Sequence, residues 1–383
     1  MKLIHLGDLH LGKHVNEFHM IEDQKYMLEQ IIDLIKQEAI DAVLLAGDIF
    51  DRSVPSEEAV KVLDEFLTKM AEMGKQVFAV SGNHDSDERL NYGSRLFEKN
   101  NIYIAGRYDG TVRCIDIEDA YGPLHIWLMP YVKASRVAHY FPEEKINTYD
   151  DAFQTALKHC SLQKEERNVI VVHQFVTGSS VETEPELAGS ETILLNVGTV
   201  DRISAECFDD FDYVAMGHIH SSQAVGRETC RYSGSLLKYS LNERELNRQK
   251  TIPIITLKEK GNVTVDLVSI KPKREIRHIR GQLQELISHA EDTEDYIYAT
   301  LTDERSQFDA MARLREVYPR VMKMDYDNQE TRALMEENAE FETEGKSFEE
   351  LINGFFNTYR GTEPSREEWE VLLEVAREAG VIE

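Results

Sequence analysis

Residues 2–10, KLIHLGDLH, and residues 42–52, AVLLAGDIFDR, each run from a short apolar strand straight into a Gly-Asp turn. Three further segments repeat the device: QVFAVSGNHD at 76–85, NVIVVHQ at 168–174 and YVAMGHIH at 213–220. Short apolar runs bounded by turn residues read as buried strands. Glycine precedes the polar residue in four of the five motifs, and glycine lets a chain turn sharply and approach a ligand closely. Ligand sites in open α/β sheets form outside the carboxyl ends of strands, so five such ends can converge on one site.

Working outward, Ile102–Ala105 and His125–Pro130 read as further strands. One intervening helix runs from Met20 to Glu38, with Leu28, Ile31, Ile32 and Ile35 at helical spacing. A second runs from Ser56 to Met73, is stopped by Gly74, and carries Val60, Leu63, Phe66, Leu67 and Met70 on one face. Alternation of this kind predicts layered α/β architecture. Ile252–Leu257 and Val263–Ile270, around Lys260-Gly261-Asn262, read as a hairpin that closes a first domain at residue 270. Residues 271–330 follow as strand, helix, strand, helix, a small α+β domain. Residues 271–280 within it hold five cations against Glu275 alone. In 340–383, Ser347 with Glu350 and Ser365 with Glu368 form capping boxes ahead of two aromatic-rich amphipathic helices.

A chain of 383 residues suggests two or three domains at roughly 150 residues each. Its net charge of −27 argues against non-specific cationic binding to nucleic acid or anionic membrane. The segment 331–383 holds five basic and fourteen acidic residues, a third of that imbalance. No apolar run approaches the roughly 18 residues of a membrane span, and no signal-peptide pattern opens the chain. Cys114, Cys160, Cys207 and Cys230 lack C-x-x-C spacing and read as small buried apolar residues rather than ligands or disulfides. A cytoplasmic setting without membrane attachment is expected.

The motif residues decide the chemistry. Aspartate, histidine and asparagine donors without cysteine favour a hard-to-borderline cation such as Mn²⁺, with Mg²⁺ or another divalent metal as alternatives. Asp8-x-His10 and His218-x-His220 place alternate side chains on one side of an extended segment. Two ions about 3.5–4 Å apart can clamp a phosphate and activate water, and Asp48 is the natural bridging carboxylate. The remaining histidines (His5, His14, His19, His125, His139, His159, His278 and His289) have no such setting and read as structural or solvated. Tyr232-Ser233-Gly234-Ser235 reads as a turn or a phosphate cradle.

Taken in order, G-D-x-H, G-D-x-x-D-R, G-N-H-D, a strand-end histidine and G-H-x-H resemble the calcineurin-like metallophosphoesterases over roughly residues 1–270. The resemblance implies a β-sandwich flanked by helices and a two-ion centre. One ion would take Asp8, His10, Asp48 and His220, and the other Asp48, Asn83, His173 and His218. It further implies that His84 stabilises or protonates the leaving oxygen, with Asp85 orienting its imidazole.

HLGDLHLG at 5–12, GDIFDR at 47–52 and YSGSL at 232–236, with a small cap, are similar to the SbcD family of bacterial nuclease subunits. That similarity implies hydrolysis of DNA phosphodiesters, as double-strand exonuclease and single-strand or hairpin endonuclease. It also implies a coiled-coil ATPase partner, SbcC, docked on the 340–383 helices, a DNA-capping role for 271–330, and a homodimer within a heterotetramer. Archaeal and eukaryotic relatives carry a second histidine where this chain has Asp51 and Arg52. Those two residues are instead expected to brace the loop around Asp48. Two rivals remain at this point: a small-molecule or phosphoprotein phosphatase, and a non-catalytic scaffold. The latter would be expected to lack a ligand or His84.

Overall fold

The computed structural model describes residues 1–178, 185–187, 202–291, 293–329, 351–354, 356 and 364–378. Two six-stranded sheets carry the first compact unit, which comprises Met1–His278, Thr293–Tyr298 and Arg320–Lys323. The first sheet contains β1 (Lys2–Leu6), β2 (Ala42–Ala46), β3 (Gln76–Val80) and β4 (Ile102–Ala105) as parallel neighbours. The hairpin β11 (Thr251–Leu257) and β12 (Val263–Ser269) adds antiparallel to β1. In the second sheet the order is β9 (Gln223–Val225), β10 (Arg227–Tyr232), β8 (Tyr213–Gly217), β7 (Arg167–His173), β6 (Gly122–Met129) and β5 (Arg113–Asp119).

Alternation along the strands builds the layers. Leu3, Leu44 and Phe78 from one sheet and Ile126, Val171 and Ala215 from the other form a buried core between the sheets. Their neighbours Ile4, Val43, Leu45 and Val77 face outward against α1 (Ile21–Gln37) and α2 (Glu57–Glu72). The outer face of the second sheet packs against α3 (Ala134–Tyr140) and α4 (Tyr149–Lys158) through Met129, Val137, Phe153 and Ile170. Burying each large apolar side chain contributes roughly 1.5–3 kcal/mol, so strands covered on both faces read as unbroken apolar runs. The expected β-sandwich flanked by helices is therefore the observed architecture.

Local signals fix the helix ends. Ser56 accepts from the Ala59 amide and starts α2, while Gly74, at φ 64°, stands past its end, the usual place for glycine. One expectation needs correction: Val60 is 47% exposed, and Ala59 and Val62 are buried instead. Val60 joins Val54, Tyr92, Leu96 and Phe97 among the exposed large hydrophobics.

Beyond residue 270 the chain contributes to both compact units. Residues 271–278, 293–298 and 320–323 belong with the first unit: Ile276, Tyr296 and Met322 are buried in its core, and polar contacts add to that packing. Asp23 is fully buried on α1 and accepts from Arg274 at 2.7 Å and from the Tyr296 hydroxyl at 2.8 Å. Lys238 pairs with Glu275 at 2.7 Å, and Asn16 donates to the Met322 carbonyl. Arg277 pairs with Asp295 and Arg280 with Asp327. Three arginines of the basic run are thus matched by carboxylates, which removes most of its expected excess charge.

The second unit holds residues 279–292, 299–319 and 324–383 so far as they are described. The cap segment runs β13 (Ile276–Gly281), α5 (Leu283–Ser288), β14 (Tyr296–Leu301), α6 (Ala310–Val317) and β15 (Val321–Tyr326). The third strand was not anticipated, although VMKMDY at 321–326 alternates as a strand should. Near the C-terminus, α7 (Arg366–Glu378) begins at a realised capping box. The Ser365 amide donates to Glu368 Oε2 at 2.8 Å and the Glu368 amide to Ser365 Oγ at 3.3 Å. The Ser347 and Glu350 box lies outside the described residues.

Candidate metal centre

The five motifs meet at the carboxyl ends of β1, β2, β3, β7 and β8. Backbone bonds fasten the first two loops side by side: Asp8 N–H to the Gly47 carbonyl at 3.1 Å, and His10 N–H to the Asp48 carbonyl at 2.9 Å. Asp8, His10, Asp48 and His218 all hold positive φ, at 51°, 44°, 47° and 106°. Non-glycine residues in that region cost of order 1–3 kcal/mol each and cluster at functional sites. Two glycines admit the close approach. A Cβ on Gly47, itself at φ 80°, would lie 2.4 Å from His173 Nδ1, and one on Gly217 would lie 1.8 Å from the Ala46 carbonyl oxygen.

Asp48 is the hub. Its Oδ2 lies 3.6 Å from His10 Nε2, 3.5 Å from His173 Nε2 and 3.9 Å from His84 Nε2, and its Oδ1 accepts from the His84 amide at 2.9 Å. On one side, His10 Nε2 and His220 Nε2 are 3.0 Å apart beside Asp8. On the other, Asn83 Oδ1 is 3.0 Å from both His173 Nε2 and His218 Nδ1. Asp8 accepts from the His218 amide at 2.9 and 3.1 Å. All seven expected ligands therefore face one buried centre.

The residues fit divalent cations. Asp8–His10–His220 and Asp8–Asp48–His173 each bring three ligand atoms within 4.8 Å of one another. His10 Nδ1 is buried without a hydrogen-bond partner and lies 3.6 Å from Asp51 Oδ1. Ligation through Nε2 would place a proton on Nδ1, facing that carboxylate, the outer-shell arrangement that orients metal-binding histidines. His173 donates Nδ1–H to the Ala46 carbonyl at 2.8 Å, which leaves Nε2 for the centre.

Charge follows burial. Desolvation holds His10 and His218 neutral, each pushed down to about 3, with the neighbouring His173 adding to the effect at His218. Burial, reinforced by His10, also holds His220 well below its ordinary value. His173 is the exception: burial opposes its charge, but Asp48 and Asp8 outweigh it and raise the ring to about 9. Burial works against the Asp48 carboxylate too, yet His173, His10 and His84 hold it well below the usual range.

His84 differs from the ligands in exposure: its side chain is 38% exposed against 3% for Asp48. It stands at the mouth, with Nδ1 3.0 Å from the Asp51 carbonyl oxygen. Asp85, expected to orient the imidazole, makes its hydrogen bonds to backbone amides. Its carboxylate is taken up by the amides of Ile49, Phe50 and Gly82 at 3.1, 2.8 and 2.9 Å, so it clamps the second motif to the third. The imidazole is held by Asp51 instead. Asp51 also accepts from Lys13 at 2.7 Å, and among the described residues Arg52 lies 3.7 Å from the Asp51 carboxylate.

Several positioning groups carry no motif signal. Gln24, buried on α1, donates to the Leu9 and His10 carbonyls and the Tyr239 hydroxyl. Lys250, buried against Glu245, donates to the His220 carbonyl at 3.0 Å. Two adjacent polar residues, Asp23 and Gln24, on the buried face of an amphipathic helix were the available clue. The 232–235 run is a packed turn: Ser235 N–H donates to the His220 carbonyl, and Gly234 turns at φ 76°. His125 bridges Asp116 and Glu166 at 2.6 Å each, an ion triad beside Cys114.

Comparisons agree with this geometry. Residues 1–222 match the model of the calcineurin-like phosphoesterase family, and residues 272–359 match a family described as the type 5 capsule protein repressor C-terminal domain. A curated relative, the SbcD component of the SbcCD nuclease of Staphylococcus epidermidis, is 30% identical over 330 residues, covering 85% of each chain. Solved structures of a Danio rerio dimetal phosphatase and of TT1561 from Thermus thermophilus align with TM-scores of 0.42 and 0.41. They are 11% and 9% identical and cover 71% and 70% of this chain, and 97% and 98% of their own. At that level they carry no argument. With its five motifs joined in one buried centre and its two family domains in SbcD order, the chain belongs to the SbcD family of calcineurin-like phosphoesterases.

Proposed function

We propose that this chain is the metal-dependent DNA nuclease subunit of an SbcCD-type complex, hydrolysing DNA phosphodiesters. The carrying observation is the buried Asp48 carboxylate flanked by two ligand groups, with half-exposed His84 at the mouth. Asp8, His10, Asp48 and His220 would hold one divalent ion, and Asp48, Asn83, His173 and His218 the other. Mn²⁺ suits the oxygen and nitrogen donors, with Mg²⁺ an alternative. Ions bound there supply Lewis acidity toward phosphoryl oxygen and make water a nucleophile at neutral pH.

The protein's own groups do the rest. The Ala46 carbonyl fixes which nitrogen His173 presents, and Asp85 locks the His84 loop to the Asp48 loop. His84, held by the Asp51 carbonyl, presents Nε2 to the leaving oxygen and donates a proton there, a role general acids fill at 10²–10⁴-fold in rate. The cap would contact the duplex, and the 340–383 helices would dock SbcC, because aromatic amphipathic helices suit a groove on another protein. ATP turnover by SbcC would then govern double-strand exonuclease and single-strand or hairpin endonuclease action in recombination, replication and end processing.

Self-association into a homodimer is supported by the exposed Val60, Tyr92 and Phe97, which line one largely apolar surface cavity, since contiguous exposed apolar surface marks interaction sites. Among the described residues no helix is long and apolar enough to cross a membrane. The four free cysteines suit a reducing cytoplasm. The test is cleavage of linear DNA by the purified chain. Mn²⁺ should start it and EDTA stop it, and hydrolysis confined to p-nitrophenyl phosphate would establish a phosphatase instead.

A further inference from the structure

A cavity of about 600 Å³ opens beside the centre, and Asn83 stands in its wall. Asn83 also holds His173 and His218, each at 3.0 Å. The cavity therefore shares a side chain with the half of the centre built on Asp48, Asn83, His173 and His218. Its size lies within the roughly 300–1,000 Å³ typical of small-molecule sites and admits one nucleotide unit. Tyr131 lines it near His173, their ring centroids 6.4 Å apart.

The lining carries both signs, Asp85 and Asp87 standing in it with three cations. In a chain of net charge −27, Arg107, Lys133 and Arg136 line one cavity. Two of the three are engaged. Arg107 pairs with Glu88, while Arg136 donates to the Tyr108 carbonyl at 3.4 Å and lies 4.0 Å from Asp87. Lys133 is exposed, precedes α3, and has no acidic partner among the described residues. An unpaired ammonium beside a buried hydrolytic centre attracts anions, and surrounding low-dielectric walls focus that attraction.

We propose that this cavity is a subsite for the nucleotide adjoining the scissile bond, with Lys133 contacting its backbone phosphate and Arg136 reinforcing the contact. The inference rests on the DNA nuclease reading and adds to it a positioning surface on one side of the cut. A polymer whose scissile phosphate sits at the centre must pass its next nucleotide over one of the walls, and this one offers room and, in Lys133, a cation without an acidic partner among the described residues. Phosphate contacts fix register without reading sequence, so the subsite favours polymeric diesters over small ones and is indifferent to base.

The test compares two substrates on the full chain with Mn²⁺: linear DNA, and bis(p-nitrophenyl) phosphate, a diester with no neighbouring phosphate. Lys133→Glu should lower kcat/KM on DNA at least tenfold, chiefly through KM, and flatten its salt dependence by about one unit of log–log slope. Hydrolysis of the small diester should stay within twofold, and Lys133→Arg should behave as wild type. Unchanged DNA kinetics in Lys133→Glu would overturn the subsite, as would a parallel loss on both substrates. A wild-type chain that hydrolyses the small diester and leaves DNA intact would overturn the nuclease reading, and the subsite with it.

Discussion

At the scale of single residues, the seven proposed ligands are distinct from His84, the group proposed to act on the leaving oxygen. His84→Ala removes no proposed ligand, so the variant should keep its divalent ions by calorimetric titration while diester hydrolysis falls 10²–10⁴-fold. A variant with full rate would take His84 out of the mechanism. Identity at this scale was legible because chemistry-bearing residues sit next to glycine at strand ends, where Asp8, Asp48, Asn83 and His218 could be named from spacing. Orientation was not. The carbonyls of Ala46 and Asp51 that aim His173 and His84 belong to no residue type. The carboxylate of Asp85 sits next to His84 in sequence yet spends itself on three backbone amides.

At the scale of elements, strands covered on both faces announced themselves as apolar runs, and β1, β2, β3 and β4 have the expected bounds. Strands facing solvent on one side were harder. β5 reads RCIDIED and β15 reads VMKMDY, so charged residues interrupt both and neither forms an unbroken apolar run. The packing of β8 against β2 leads to a sharp expectation. Gly217→Ala places a methyl carbon 1.8 Å from the Ala46 carbonyl oxygen, the same oxygen that orients His173. The sheets must part locally, so metal affinity should drop 10–100-fold, as when an outer-shell partner is lost. The unfolding midpoint should fall as well. Wild-type affinity in Gly217→Ala would show that this contact does not tune the centre. Asp23 offers a second element-scale test: removing a buried carboxylate that holds Arg274 should cost about 3–5 kcal/mol in denaturant unfolding. A loss under 1 kcal/mol would mean that the 271–278 segment is held by other means.

At the scale of the whole molecule, a net charge of −27 coexists with a reading in which the substrate is a polyanion. The acids are distributed in a way that explains this: a third of the excess lies in 331–383, Asp8 and Asp48 serve the centre, and Asp23, Asp295 and Asp327 neutralise the basic run. Deleting 340–383 should leave Mn²⁺-dependent cleavage by the chain intact and abolish both co-purification with SbcC and ATP stimulation; retained co-purification would assign docking elsewhere. Whether Asp48 joins two ions into one hydrolytic centre is decided by counting Mn²⁺ bound per chain in an EPR-monitored titration. The wild-type chain should bind two ions, and Asp48→Asn should lose at least one ion together with diester hydrolysis. A wild-type chain that binds no Mn²⁺, or an Asp48→Asn chain that binds two ions and cleaves at full rate, would contradict that role.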